Sequence, residues 1–509
     1  MTGMPRTWLR LAGTHVVALV LFVSVSVAVR GLTIADWTWI NPDEAELMAQ
    51  ARAAQHSVLP FTTWTMGTTG PCWPMFLALL GALGYPLTLV SAHLLAATLV
   101  GLMGFLAWVL VSRQWGVRRG LLFAVLWWLP LALIYPIGLR TNFGALSTEL
   151  LPSVLVSAAA IARPQRLAAR PVLYVIPGLL SGLAVGSKYQ VLPLVLALLW
   201  VQVREARAPR ADAARGLAWW AAAAAAPFVV LAIALVLSPS VSMRLASQNL
   251  SFLGSYADKI SIADRLANSL TVFSHQAYVI IVAAFLIRLV QLSSRRVAVS
   301  RAILVASGLA AIVAGGMGYA HYLWLLYTAC ALAASLPVEG NRELIPWPTV
   351  RKATLAATAA AIVVELAVGV ASGGLRMTTP SSFADALRRD SVPRNAAVAA
   401  LCPPGSKALV WGWAAELYVY YSWENTVPFM NTLGLRSTPE NLSAARPIVS
   451  KGIENANCVV DASGLPFFGA NKAASLELVY PEFTAVLSKE FTKRRGVLNC
   501  PSCTLYVRN

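Results

Sequence analysis

The sequence is poor in charge, and poorest in acid. Of 509 residues only 12% are charged, 22 of them Asp or Glu, and the chain holds five histidines and six cysteines. Soluble globular proteins run near 25% charged. A chain that is 58% hydrophobic, with a mean hydropathy of +0.65, does not fit one soluble core, and the same composition excludes disordered and coiled-coil chains. Three catalytic signatures are also missing: a Gly-rich phosphate loop, a Ser-His-Asp nucleophile signature and a His-Glu-x-x-His metal motif. Nucleotide-driven chemistry is therefore not expected. The net charge of +18 would fit a polyanion partner, but its distribution fits membrane topology better, so nucleic acid is not an expected partner.

What is present is a series of apolar runs separated by arginine-rich breaks, the pattern of repeated transmembrane helices. Spans are expected near 16–29, 86–112, 120–138, 146–162, 172–187, 189–203, 217–237, 276–292, 302–316, 320–336 and 353–371, eleven in all. The first has no convincing small-residue cleavage site and reads as an uncleaved helix. Short cytoplasmic loops carry an excess of Lys and Arg. With the N-terminus inside, the cytoplasmic loops hold 19 such residues, the opposite loops 7, and the tail beyond 372 the remaining 14. The expected location is a cytoplasmic (inner) membrane, with the N-terminus cytoplasmic and the tail extracytoplasmic. Reading 172–187 and 189–203 as one tilted helix would turn the arginine clusters at 204–215 and 288–301 outward and leave Lys188 in mid-bilayer, so two spans are expected.

The expected fold is thus a polytopic α-helical membrane domain over 1–372, with outer loops at 33–85 and 238–275, followed by an extracytoplasmic α/β domain over 373–509. The tail drops to soluble composition and alternates strand-like runs (Ala408 to Trp411, Cys458 to Asp461, Thr504 to Val507) with helix-like ones (Ala414 to Tyr421, Ala473 to Leu478). Four of the six cysteines, Cys402, Cys458, Cys500 and Cys503, lie there, where an oxidising compartment allows disulfides. Four cysteines permit three pairings; we expect Cys402 with Cys458 and Cys500 with Cys503. A zinc site is the alternative, against which the lack of nearby histidines counts.

The first outer loop carries Asn41-Pro42-Asp43-Glu44, which predicts a helix start: Asn41 as N-cap, Pro42 at the first position, Glu44 able to reach back to the cap. Leu47, Met48, Ala51, Ala54 and Val58 follow at helical spacing, so the helix is expected to lie on the membrane with one apolar face down. Carboxylates in a first turn stabilise any helix. Asp43 and Glu44 are nonetheless among very few acids on the outer face, placed to take a proton from a hydroxyl. Lys188, a lone lysine between two short apolar segments, is costly in lipid and a candidate for binding an anion such as a lipid phosphate. Its alternative role is to mark a helix end by snorkelling. Arg140 and Glu149 read either as an ion pair closing a tight loop or as substrate contacts, and Arg265 is a further weak substrate-binding candidate. The run Gly315 to Tyr322, with His321 and Tyr322, opens a helix at the outer face, where tyrosines also serve as aromatic belts.

In these motifs, taken in order, the chain resembles the GT-C superfamily of membrane glycosyltransferases, in the branch of protein O-mannosyltransferases and lipid A aminoarabinose transferases that uses polyprenyl-phosphate sugars. The matching patterns are Asp43-Glu44 with its helix and the re-entry Gly67 to Pro74, then Ser147-Thr148-Glu149, Gly182 to Lys188 ahead of Pro193, and His321-Tyr322. Ala408 to Trp413 and Tyr418 resemble family tails. The resemblance implies an inverting transfer from a polyprenyl-phosphate-linked sugar to a glycan, lipid or protein hydroxyl. Asp43 is then the general base with Glu44 in support, and Lys188, His321 and Tyr322 meet the donor phosphate. Many members carry a lysine just before the re-entry prolines, whereas here Gly70 precedes Pro71. Membrane lipids and the lipid-linked donor are the implied partners. No cofactor is expected; a divalent metal would need a second acidic cluster beside the one pair.

Two other classes compete. A lipid or polysaccharide transporter would carry inverted repeats and several paired charges in mid-membrane, where few lie beyond Lys188 and Glu365. A receptor sensing a ligand through its tail would use Asp43 and Glu44 only structurally.

Overall fold

The computed structural model describes residues 6–30, 41–57, 59–67, 69–133, 145–163, 171–205, 210–237, 245–247, 249, 261–274, 294–315, 319–337, 395–432, 439–463, 475–496 and 503–509. In chain order the helices before the tail are α1 (Arg6–Val29), α2 (Pro42–His56), α3 (Cys72–Ala82), α4 (Leu89–Trp115), α5 (Val117–Leu133), α6 (Leu150–Ala162), α7 (Val175–Ser187), α8 (Leu192–Glu205), α9 (Arg210–Val236), α10 (Ile262–Ser274), α11 (Arg295–Gly315) and α12 (Leu323–Ala334). The spans expected at 276–292 and 353–371 lie outside the described residues. Among the described residues, helices at Leu89–Trp115, Ala214–Val236 and Val297–Gly315 are long and apolar enough to cross a membrane. On α9 the side chains of Val229, Val230, Ile233 and Val236 are exposed, an apolar surface that suits lipid.

The chain divides into two compact units. The first comprises residues 1–36, 93–229 and 260–384 and is helical throughout its described part. Its centre is a core of Ala159, Ala184, Leu194, Leu198, Leu304 and Leu332, drawn from α6, α7, α8, α11 and α12. Small residues let these helices approach closely, which dispersion favours where lipid removes the hydrophobic drive. A Cβ on Gly182 of α7 would run into the Ala224 carbonyl of α9. Phe22 of α1 packs edge-on to Trp128 of α5, with ring centroids 5.2 Å apart. The separation of α7 from α8 follows from the sequence between them: Lys188 is extended (φ −154°) and Tyr189–Val191 form a 3-10 turn before α8. Arg301 of α11 is buried and donates from Nε to the Ala333 carbonyl (3.1 Å) and from Nη2 to that of Leu336 (2.9 Å). A cation thus meets the negative end of α12, where helix carbonyls lack partners.

The second unit comprises residues 37–92, 230–259 and 385–509. The tail adds α13 (Ala396–Leu401), β1 (Lys407–Trp411), α14 (Glu416–Tyr420), β2 (Glu424–Asn425), α15 (Pro439–Asn455), β3 (Cys458–Asp461), α16 (Leu476–Val479), α17 (Phe483–Glu490), β4 (Phe491–Arg495) and β5 (Thr504–Arg508). The five strands form one sheet in the order β2-β1-β3-β5-β4. β2, β1 and β3 run parallel, while β5 and β4 are antiparallel to their neighbours. The central strands β1 and β3 read as apolar runs, as strands covered on both faces do. Gly412, at φ +131°, turns the chain out of β1 directly against the Ala462 backbone, a conformation and an approach that only glycine takes without strain.

Within this unit α2 packs on α3 and α14. Asn41 caps α2, its side chain accepting from the Asp43 N–H at 2.8 Å, and Pro42 opens the first turn. The expectation of one apolar face resting on lipid is corrected by the burial. Glu44, Ala45, Leu47, Met48, Ala49, Gln50, Ala51, Ala53 and Ala54 are all covered, so the protein itself encloses most of the helix circumference. Its many alanines allow that close packing on several sides.

Candidate functional site

In the first unit three helix ends converge. Glu149 precedes the first turn of α6, Lys188 follows the last turn of α7, and His321 lies in the 3-10 turn Ala320–Tyr322 that opens α12. Lys188 Nζ lies 3.3 Å from Glu149 Oε1, and His321 Nε2 lies 3.6 Å from Glu149 Oε2. The Thr148 hydroxyl donates to Glu149 Oε1 at 2.8 Å. Each charge complements the helix end it occupies, the carboxylate at an N-terminus and the ammonium at a C-terminus. Side-chain exposure is 5% for Lys188, 3% for His321 and 0% for Glu149.

The His321 ring is stacked on Tyr319 at 5.3 Å and stands edge-on to Tyr322 at 4.9 Å, which fixes its plane. Tyr322 is itself buried. One turn deeper, the Ser153 hydroxyl of α6 donates to the Trp324 carbonyl of α12 (3.4 Å), and the Arg30 guanidinium at the end of α1 lies 5.9 Å from the Trp324 ring centroid. The structure therefore brings together Glu149, Lys188, His321 and Tyr322. Arg30 was legible only as one of the few cations assigned to the outer side; its burial was not. Arg140 lies outside the described residues, and Arg265 is half-buried on α10.

Asp43 and Glu44 lie in the second unit and differ sharply in environment. Asp43 is half-buried, whereas Glu44 is fully buried. Glu46, on the same helix, accepts from Gln50 Nε2 at 3.0 Å and from Asn431 Nδ2 at 3.4 Å. On α14, Glu416 and Tyr420 stand one helical turn apart. Burial pushes the Glu416 carboxyl up to about 7. Burial also raises the Tyr420 hydroxyl, as do the neighbouring Glu416 and Glu44 carboxylates. Reading the sequence missed Glu416 and Tyr420, because nothing local marks an acid that burial holds above its ordinary range.

Cys402 and Cys458 form a disulfide, and Cys503 is disulfide-bonded as well; Cys500 lies outside the described residues. Cys72 and Cys330 are free thiols. Among the described residues no group of three His, Cys, Asp or Glu side chains is arranged to hold a metal ion.

The fold is similar to that of two crystal structures of ArnT from Cupriavidus metallidurans. The undecaprenyl phosphate complex matches with a TM-score of 0.53 at 16% identity, over 96% of this chain and 97% of that one. The apo form matches with a TM-score of 0.53 at 15% identity, over 97% of this chain and 98% of that one. No family model matches the sequence, and no curated protein matches it.

Proposed function

We propose that the protein is an integral membrane glycosyltransferase that moves a sugar from a polyprenyl-phosphate-linked donor to a hydroxyl of a glycan, lipid or protein on the outer face of a cytoplasmic membrane. The observation that carries this reading is the buried group of Glu149, Lys188 and His321, two cationic or protonatable side chains at one helix-end cluster of a fold shared with ArnT. Building such a group into an apolar bundle is costly unless the charges serve something.

In this reading Lys188, His321 and Tyr322 bind the donor phosphate, and Glu149 holds Lys188 and His321 in place before the donor arrives. Developing charge on the leaving phosphate is stabilised by donors already oriented. Asp43 is the general base that takes the acceptor proton, the sugar being displaced with inversion. The half-burial of Asp43 supports its assignment over Glu44, which is sealed from any acceptor and supports α2 instead. The bond between the sugar and the donor phosphate supplies the driving force: it breaks as the acceptor oxygen bonds to the sugar, and polyprenyl phosphate leaves, so no further cofactor is invoked.

The test is transfer of radiolabelled sugar from a panel of polyprenyl-phosphate sugars to membrane acceptors, comparing wild type with Asp43→Asn. Transfer by the wild type that vanishes in a folded, inserted Asp43→Asn protein is expected. Equal transfer by both removes Asp43 as base, and no transfer by either with any donor removes the glycosyltransferase reading.

A further inference from the structure

The second unit contains a cleft of about 490 Å³ that the transfer reading does not use. Its walls come from the C-terminal half of α2, the end of α3 with the α3–α4 turn, and the tail at Gly405 and between Tyr418 and Met430. Arg52 ties them together. It donates from Nε and Nη2 to the Leu87 carbonyl (3.2 and 2.9 Å) and from Nη1 to those of Tyr418 and Val419 (3.3 and 3.2 Å). Two further observations mark the tail wall as built rather than incidental. Ser422 is held at φ +53°, a region a non-glycine residue enters only when its surroundings impose it. Its carbonyl accepts from the Gly405 N–H, and the adjoining Trp423 indole donates to the carbonyl of Cys402, a disulfide residue.

The cleft offers an occupant Gln55, His56 and Glu424, all exposed. Among the described residues none of the three side chains is engaged in a hydrogen bond or ion pair. An amide and an imidazole each donate and accept, and a carboxylate accepts; together they match the mixed donors and acceptors of vicinal hydroxyls. An anionic ligand would meet Glu424 while the Arg52 guanidinium is spent on carbonyls, and a fully apolar one would strand all three polar groups. The nine helical positions from Asp43 to Arg52 correspond to about 13 Å, so the cleft is a different subsite from the one at the base.

We infer that this cleft is a carbohydrate-binding subsite, holding a neutral oligosaccharide by Gln55, His56 and Glu424 a few sugar units from the hydroxyl presented to Asp43. The last clause rests on the transfer reading; the binding itself does not.

The test is calorimetric titration of the full chain in lipid nanodiscs, with no donor present, using short galactan, mannan and arabinan oligomers, and polyethylene glycol as a non-sugar control. Saturable binding of at least one oligosaccharide, and none of the glycol, is expected. Glu424→Ala and His56→Ala should each weaken it about fivefold, the worth of one hydrogen bond. Gln55→Trp, which fills the cleft from its rim, should weaken it by tenfold or more, about 1.4 kcal/mol. All three positions are exposed, and thermal unfolding of each variant alongside separates lost binding from lost fold. Absence of binding by all three oligosaccharides overturns the inference, as does binding that Gln55→Trp leaves unaltered. Since no donor is present, either result is independent of whether Asp43 acts as a base.

Discussion

Lys188 and Glu149 form an ion pair that neither shares with solvent, the ammonium 3.3 Å from the carboxylate at the facing ends of α7 and α6. His321 completes the group from α12, 3.6 Å from the second carboxylate oxygen. Three helices are thereby pinned at one end by side chains that would each be costly alone in an apolar setting.

Breaking that pair should cost more than losing a surface ion pair. Lys188→Met leaves Glu149 buried with one protonatable neighbour, and a loss of about 3 to 5 kcal/mol is expected from stranding a buried charge. Denaturant titration in detergent measures it. Lys188→Met combined with Glu149→Gln should recover part of the loss, because no charge is then left unpaired; a double variant as unstable as Lys188→Met would count against a direct coupling.

Asp43→Asn should lower transfer by about two to four orders of magnitude, the usual contribution of a positioned general base, with little change in melting temperature because Asn41 still caps α2. Glu44→Gln should instead act through stability, since its side chain is fully buried. Initial-rate and unfolding measurements on the two variants check the contrast.

Glu416 makes stability depend on pH. Its carboxyl, ordinarily near 4.5, is pushed up to about 7 by burial, so between those values the unfolded chain ionises it while the folded chain keeps it protonated. Its contribution is full below about 4.5 and is lost as pH rises towards 7. Glu416→Gln should flatten that part of the stability curve and be more stable than wild type above pH 7, as thermal melts across the range would report.

The Cys402–Cys458 bridge closes a loop across 56 residues of sequence. Chain-entropy arithmetic for a loop of that length gives about 4 kcal/mol. Replacing both cysteines with alanine should make the tail markedly more sensitive to limited proteolysis of the full chain, while Cys72→Ala, which removes a free thiol, should not.

Gly182→Leu should disrupt the contact of α7 with α9, because its side chain would enter space held by the Ala224 backbone. Overpacking of this kind costs about 1 to 3 kcal/mol. Gly13→Leu, at a position with open space around it, is the matched control in the same detergent melt.

The sequence by itself determined most of the apolar helices and their breaks, but not α3 and α10, which fall within the segments read as outer loops. Apolar runs and arginine-rich gaps place α4 to α9, because hydrocarbon admits only backbone whose hydrogen bonds are internal. Asn41, Pro42 and the first-turn acids determine where α2 begins, since capping is chemistry within four residues. The interruption at Lys188 was legible for the same reason: a lone charge between two short runs marks a helix end.

Only the tertiary structure decided what those positions meet. Glu149, Lys188 and His321 are far apart in sequence, and no local pattern tells Glu149 to choose Lys188 and His321 as partners. Likewise, α2 has an apolar spacing that suits a membrane surface, yet the packing of α3 and α14 encloses it. Arg52 reads as an outer-loop cation, but it serves as the tie between segments more than 300 residues apart. Local sequence fixes backbone conformation through short-range sterics and hydrogen bonds, whereas burial, charge pairing and the ionisation of Glu416 depend on neighbours that only the folded chain supplies.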